Sequence, residues 1–192
     1  MVIGKLLHST LKESKIIMLE LPEESYFEQN YNTIKVLQKA GYSCVYVSFH
    51  RPFSSISSLL KKHGVDLKTI IFIDVAAALT QEKENKKKSE VKMKKDERCI
   101  SISKDINVDE LVKAVYTSLD TLKGKRFIFI DSLTTLTLYK PLSETLRFSE
   151  FLMRTVKNEK DVRLIFNVAQ GLTQKKFIQD VALKVDKTLK VN

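Results

Sequence analysis

The stretch Phe127-Ile128-Phe129-Ile130-Asp131-Ser132 decides the fold class of this 192-residue sequence. Four consecutive large apolar residues are typical of a parallel strand that is covered on both faces. The run stops at an aspartate and a serine, so it predicts a buried strand with polar side chains at its carboxyl end. A strand of this kind needs similar neighbours and covering helices.

Short apolar runs of the same type recur along the chain, and helical patterns alternate with them. The runs predict strands at 16–19, 44–49, 70–74, 99–102, 127–131 and 163–168, with a short strand at the end. Apolar residues with a period near 3.6 predict helices at 26–39, 53–63, 108–122, 143–157 and about 173–180. This alternation implies parallel βαβ units. The predicted fold class is therefore α/β, a three-layer sandwich with a mostly parallel central sheet.

Length and composition restrict the possible classes of fold and protein further. A chain of 192 residues fits one domain, which we assign to 1–192. Only 5 glycines and 3 prolines argue against an all-β fold built on tight turns. Cys44 and Cys99 are too few for a disulfide framework or a zinc site. No apolar run has the length of a membrane span and no signal-peptide pattern is present, so we expect a cytoplasmic protein without a membrane partner.

The segment QEKENKKKSEVKMKKDER at 81–98 differs sharply from the rest of the chain. It contains eight basic and five acidic residues and almost no apolar ones. Such a segment cannot bury enough surface to order itself, so we predict a mobile insertion or an exposed helix. Its lysines are candidate contacts to nucleic acid: Lys86, Lys87, Lys88, Lys92, Lys94 and Lys95. The interspersed acids also fit a solvated linker.

The formal charge of +10 attracts polyanions without distinguishing between them. Nucleic acid is a possible partner on this ground. The charge fits plain solubility as well, so it assigns no function by itself.

The first strand leads into a loop, 21–27, where a nucleotide-binding α/β fold would place its phosphate loop. This segment contains neither glycine nor lysine, and it carries Glu23 and Glu24. The two carboxylates would repel a triphosphate. They also fit the first turn of a helix, where negative charge complements the helix dipole.

Polar residues end the other predicted strands. Asp131, followed by Ser132, fits the position of an aspartate that holds Mg²⁺ through water, or of one that caps the following turn. Asp74 has the same two interpretations. His50 and Arg51 after the second strand would contact an anion or simply be solvated. Asn167 and Gln170 would sense a ligand or make structural hydrogen bonds.

Three strings together resemble the RecA-like P-loop ATPases, in particular the KaiC-like family. The string 45–49 is similar to the family's second core strand, 127–134 to its Walker-B strand, and the helix ending at Ala40-Gly41 to its helix after the phosphate loop. The resemblance implies a RecA-like fold. It also implies that Asp131, with Ser132, stands where the family holds nucleotide and magnesium.

The departures from the family pattern indicate a degenerate member. Glu23, Glu24, Ser25 and Tyr26 occupy the position of the phosphate loop, and His50-Arg51 that of the paired catalytic glutamates. We therefore expect a non-catalytic pseudo-ATPase with no catalytic residue, metal or cofactor, which serves as a regulatory or protein-interaction module. The implied partner is a RecA- or KaiC-like ATPase or a second copy of the chain. A nucleic-acid-binding accessory protein and a weak ATP sensor are the alternatives; a loop filled by Tyr26 or Phe27 would argue against ATP.

Overall fold

The fold is built on one sheet whose buried strands alternate with helices, as the apolar runs predict. The computed structural model describes residues 2–77, 92–93, 98–102 and 107–191. The strands are β1 Ile16–Leu21, β2 Tyr42–Ser48, β3 Ile70–Asp74, β4 Lys92–Met93, β5 Cys99–Ser101, β6 Lys125–Asp131, β7 Val162–Ala169 and β8 Lys187–Lys190. Each predicted strand is confirmed within a few residues.

The eight strands lie in the order β4-β5-β3-β2-β6-β7-β1-β8. All neighbouring pairs are parallel except β4 with β5. The strands at the centre, β2, β6, β7 and β1, are buried on both faces, which accounts for their continuous apolar runs. The sheet is therefore of the mostly parallel type that the sequence predicts.

Helices cover both faces of the sheet and complete the three layers. One layer contains α1 Val2–Glu13, α2 Tyr26–Lys39 and α3 Phe53–Lys62. The other contains α4 Val108–Thr121, α5 Leu133–Leu136, α6 Leu142–Asn158 and α7 Lys176–Ala182. Helix α1 was not predicted; it packs on α2 and buries Ile3, Leu7 and Leu11, which recur every four positions.

Two apolar cores lie on either side of the sheet, and the central strands contribute alternate residues to both. In β6, Phe127 and Phe129 face the α1–α3 layer, whereas Ile128 and Ile130 face the α4–α7 layer. This alternation fixes which face each later residue of the strand occupies. Asp131, two positions after Phe129, consequently faces the α1–α3 layer.

The segment 81–98 falls mostly outside the described residues, including Lys86, Lys87, Lys88, Lys94 and Lys95. At 92–93 the expectation of a mobile or helical segment is wrong, because Lys92 and Met93 form β4, antiparallel to β5. The short edge strand is held by its pairing to Ser101 and Ile100.

Candidate functional site

The candidate site lies at the carboxyl ends of the central strands, beneath the first turns of α2. Four neighbouring strands place a polar residue there: Asp74, Ser48, Asp131 and Asn167. Ser48 is paired with both Asp74 and Asp131, and Asn167 lies level with Asp131, one position beyond the Ile130–Phe166 pair. All four are buried. The row faces the α1–α3 layer, so α2 covers it.

Asp131 is held by two tyrosine hydroxyls. The Tyr26 hydroxyl donates to Oδ1 at 2.9 Å and the Tyr46 hydroxyl donates to Oδ2 at 2.5 Å. Tyr26 begins α2 and Tyr46 lies on β2, so the carboxylate is clamped between a helix and the neighbouring strand. Only 1% of Asp131 is exposed. Among the described residues its carboxylate thus bonds to these two hydroxyls rather than to the following turn, where Ser132 is the N-cap residue of α5, so the capping interpretation of Asp131 does not hold.

The electrostatics of this cluster follow from its burial. Burial raises the pKa of Asp131, while the hydrogen bonds from Tyr46 and Tyr26 and the influence of His50 and Arg51 oppose the rise. Burial, together with the adjacent Asp131 carboxylate, raises the pKa of both tyrosines well above its ordinary value. The hydroxyls consequently remain protonated donors at any physiological pH.

Two buried amides lie beside the cluster. Asn30, one turn after Tyr26 on α2, and Asn167 on β7 are fully buried. Neither amide has a hydrogen-bond partner among the described residues. The Asn30 amide lies near enough to the Tyr26 hydroxyl to counteract the rise in its pKa. An unpartnered buried amide costs stability, and the sequence offered no sign that Asn30 belongs to the site.

A cleft of about 230 Å³ opens above Asp131. Its lining includes Glu23, Tyr26, Phe27, His50, Asp131, Ser132, Thr134, Thr135, Ala169 and Leu172. The structure thus brings the predicted residues Glu23, Tyr26, His50, Asp131 and Ser132 to one place. Ser132 shares hydrogen bonds with Thr134 at 2.6 Å and Thr135 at 3.2 Å.

The two acids of the loop before α2 do not lie in the first turn of the helix, where the dipole interpretation places them. Glu23 and Glu24 precede the helix, which begins at Tyr26, and both are exposed. Ser25 stands at the cap position without a side-chain hydrogen bond to the helix. The Glu23 carboxylate lies against Gly171, where a Cβ atom would come within 2.1 Å of Oε1. It therefore crosses the cleft toward the segment that follows β7.

His50 and Arg51 both contact the Phe27 ring. The His50 ring stacks on Phe27 with centroids 5.6 Å apart, and the Arg51 guanidinium carbon lies 3.6 Å from the Phe27 centroid. Cation–π contact of this kind holds the arginine over the first turn of α2.

The remaining candidates are structural. Asp74 accepts hydrogen bonds from the backbone N–H groups of Phe53 at 2.7 Å and Ala77 at 2.9 Å, as the capping interpretation predicts. The Gln170 side chain donates to the carbonyl of Val191 at 2.6 Å. Tyr46 was not predicted as a site residue. A sign that could have identified it is its hydroxyl-bearing ring between the apolar residues Val45 and Val47.

No group of three or more His, Cys, Asp or Glu side chains within the described ranges could hold a metal ion. Cys44 and Cys99 are buried, and burial raises the pKa of the Cys44 thiol. None of the helices in the described part of the chain is long and apolar enough to cross a membrane.

Two solved structures from Pyrococcus horikoshii resemble this architecture. A KaiC-like protein of strain OT3 superposes with a TM-score of 0.57 at 11% identity, over 93% of this chain and 72% of that chain. An uncharacterized protein crystallised with an unknown peptide superposes with a TM-score of 0.61 at 17% identity, over 96% of this chain and 82% of that one. The fold is the RecA-like fold of KaiC-like proteins. No protein-family model matches the sequence, and no curated protein matches it.

Proposed function

We propose that this chain is a RecA-like domain that does not hydrolyse ATP and acts by binding another protein. The observation that carries the proposal is the hydrogen bond from Tyr26 to Asp131. In a P-loop enzyme this space holds the metal and the phosphates. Here the Tyr26 phenol of α2 contacts the aspartate, and each oxygen of the carboxylate accepts a hydrogen bond from a tyrosine hydroxyl.

The loop that precedes α2 supports the same proposal. Phosphate cradles use glycine, because bare backbone N–H groups must wrap the anion, and a lysine to contact it. The sequence has no GxxxxGK[ST] motif, and residues 22–25 are Pro-Glu-Glu-Ser. The exposed carboxylates of Glu23 and Glu24 would repel a triphosphate. The cleft of about 230 Å³ is also smaller than the usual range for ligand pockets, which starts at about 300 Å³.

An exposed apolar patch supports the protein-binding role. Leu138, Tyr139 and Leu142 are 71%, 48% and 49% exposed and lie between α5 and the start of α6. The patch follows Thr134 and Thr135 of the cleft, so it belongs to the same edge of the sheet. Apolar side chains exposed together in this way mark interaction sites. The partner that we propose is a RecA- or KaiC-like ATPase or a second copy of the chain.

The catalytic half of the proposal is tested with Mg²⁺-ATP. We expect neither a thermal shift nor phosphate release from the wild-type chain, since a ligand that binds only the folded state must raise the melting temperature. Asp131→Ala and the exposed control Asp120→Ala are assayed alongside. Hydrolysis that Asp131→Ala abolishes and Asp120→Ala retains would overturn the proposal. A shift without hydrolysis would favour the ATP-sensor alternative instead.

The protein-binding half is tested by sedimentation of the chain alone and with KaiC-like ATPases from the same cell. The double variant Leu138→Asp with Leu142→Asp should abolish association. Leu183→Asp is the matched control, because Leu183 is 86% exposed but lies after α7, away from the patch. Association that resists the double variant, or fails equally in the control, would contradict the role of the patch.

A further inference from the structure

The positive charge of the chain is concentrated at one edge of the sheet. We define the amino edge as the segments that lead into the amino ends of the parallel strands, at 12–16, 39–43, 61–69, 98, 121–126, 157–163 and 183–187. These connections contain fifteen Lys and Arg residues against five Asp and Glu. The opposite connections at the carboxyl edge, 21–26, 48–53, 74–76, 131–142 and 169–176, contain four of each sign.

Complementing helix dipoles accounts for only part of this asymmetry. Lysines such as Lys12, Lys39 and Lys157 end helices, where positive charge is favourable. Lys125 and Arg163, by contrast, stand at the beginnings of strands, where no helix dipole stabilises a positive charge. The excess of Lys and Arg at this edge therefore has a further reason.

The acids of the amino edge are largely engaged by local structure. Asp186 accepts the backbone N–H groups of Lys15 and Ile16, Asp66 accepts that of Lys68, and Glu159 lies 3.7 Å from Arg126. With fifteen Lys and Arg against these few acids, the edge keeps a large excess of positive charge.

Three grooves carry these cations across adjacent strands. A groove of about 300 Å³ beside β5 and β3 is lined by Lys61, Lys68 and Arg98. The next, of about 280 Å³ between α2 and α3, is lined by Lys39, by Lys35 one turn earlier on α2 and by Asp66. The third, of about 320 Å³ beside β2, β6 and β7, is lined by Lys12, Lys125, Arg163 and Asp161.

The grooves lie side by side along one layer. The sheet order β5-β3-β2-β6-β7 places them in sequence on the side of α1–α3. Four strand spacings give this track a length of about 19 Å. Each groove is lined by at least two Lys or Arg side chains and at most one acid, so the track presents a net positive charge along its length to an extended polyanion.

We propose that this amino-edge track binds single-stranded nucleic acid. The lysines contact the phosphates of the strand, and its bases enter the grooves. Half-buried aromatic rings line two of the grooves and favour this partner over an acidic protein or an anionic membrane. Tyr42 lies at the amino edge, whereas Phe53 begins α3 at the carboxyl edge and lines the far end of the first groove. Lys125 already lies 5.7 Å from the Tyr42 centroid. Binding sites for single strands combine a basic groove with aromatic rings in this manner. The bases of a duplex are paired inside the double helix and cannot enter the grooves, so a duplex would contact only the rims of the grooves.

The proposal is separate from the lysines of segment 81–98 and from the cleft above Asp131. Its test therefore uses three triple variants with equal change in charge. The first replaces one lysine of each groove: Lys39→Gln, Lys68→Gln and Lys125→Gln. The second replaces carboxyl-edge lysines: Lys140→Gln, Lys175→Gln and Lys176→Gln. The third replaces Lys86→Gln, Lys87→Gln and Lys88→Gln.

Fluorescence anisotropy measures binding of a labelled single-stranded oligonucleotide of about 20 nucleotides, as DNA and as RNA. We expect the amino-edge variant to lose about tenfold in affinity or more and to lower the slope of log K against log salt by about 2. The other two variants should stay within about twofold of the wild type. Circular dichroism confirms that all variants are folded.

Three outcomes would overturn the proposal. The first is absence of binding by the wild type. The second is equal loss in the amino-edge variant and in either control triple, which would show a general effect of net charge. The third is equal or tighter binding to a duplex of the same length, to phosphatidylserine vesicles or to poly-glutamate.

Discussion

At the scale of single residues, the contacts around Asp131 explain why a strand-end aspartate does not behave as a cap. The strand alternation directs Asp131 to the face of the sheet that α2 covers. Two tyrosines satisfy it instead. A buried carboxylate without such donors would be costly, so Tyr26 and Tyr46 are as much part of the site as the aspartate.

Removal of one phenol hydroxyl tests this clamp. Tyr46→Phe leaves Asp131 with a single donor in a buried place, so we expect a loss of about 1.5–3 kcal/mol in the free energy of unfolding. Urea unfolding followed by circular dichroism measures it. Tyr139→Phe is the control, since Tyr139 is 48% exposed. Equal losses in both variants would mean that the hydroxyl does not stabilise Asp131.

The raised pKa of Asp131 predicts a pH dependence of known sign. The folded state keeps the proton over a pH range in which the unfolded chain, with an ordinary aspartate pKa, has already lost it. Ionisation of Asp131 therefore destabilises the fold as the pH rises through the folded-state pKa, and this penalty is absent below the ordinary pKa of about 4.

Asp131→Asn removes that titration while keeping the shape of the side chain. The stability of Asp131→Asn relative to the wild type should increase between about pH 4 and pH 8. Melting temperatures of both proteins across this range measure the difference. A difference that stays constant, or that changes in the opposite direction, would show that the pKa of Asp131 is not raised.

At the scale of elements, prediction succeeded where a pattern was long and regular. Helices α4 and α6 carry a clear apolar stripe, and the observed bounds lie within a residue of the predicted ones. Helix α1 was missed, although its buried apolar residues recur every four positions. Helix α7 begins at Lys176 rather than near 173, because a turn of 3₁₀ helix at Gln170–Leu172 intervenes.

The start of α4 provides a test at this scale. The Asn107 side chain accepts the backbone N–H of Glu110 at 2.8 Å, and the Glu110 carboxylate accepts that of Asn107 at 3.2 Å. Asn107→Ala breaks this capping box, so we expect a loss of about 1 kcal/mol. Asn158→Ala, at the exposed end of α6, should change stability by a few tenths at most. A shift in the urea midpoint that is equal in both variants would contradict the role of the cap.

At the scale of the whole molecule, the sheet joins the two cores. Strands β1, β2, β6 and β7 contribute alternate side chains to each core, so neither core can lose its packing without exposing the strands. The assignment of 1–192 to one domain therefore predicts a single cooperative unfolding transition.

Tyrosines on opposite sides of the sheet make that prediction measurable without added probes. Tyr46 lies in the core beneath α1–α3, and Tyr116 packs against the core beneath α4–α7. The chain has no tryptophan to mask their signal. Tyrosine fluorescence and far-ultraviolet circular dichroism should give the same urea midpoint. Separate midpoints would divide the chain into two units.

The sequence alone determined the alternation of strands and helices, the fold class and the strand ends at which polar residues gather. These features follow from local periodicity and from burial on both faces of the sheet. A continuous apolar run such as Phe127–Ile130 indicates such burial directly. Only the tertiary structure decided that Tyr26 and Tyr46 hold Asp131, that Asn30 and Asn167 are buried beside it, and that grooves lined by lysine and arginine lie near the amino ends of the strands. These contacts join residues far apart in the chain, so they depend on strand order and register, which no local pattern encodes.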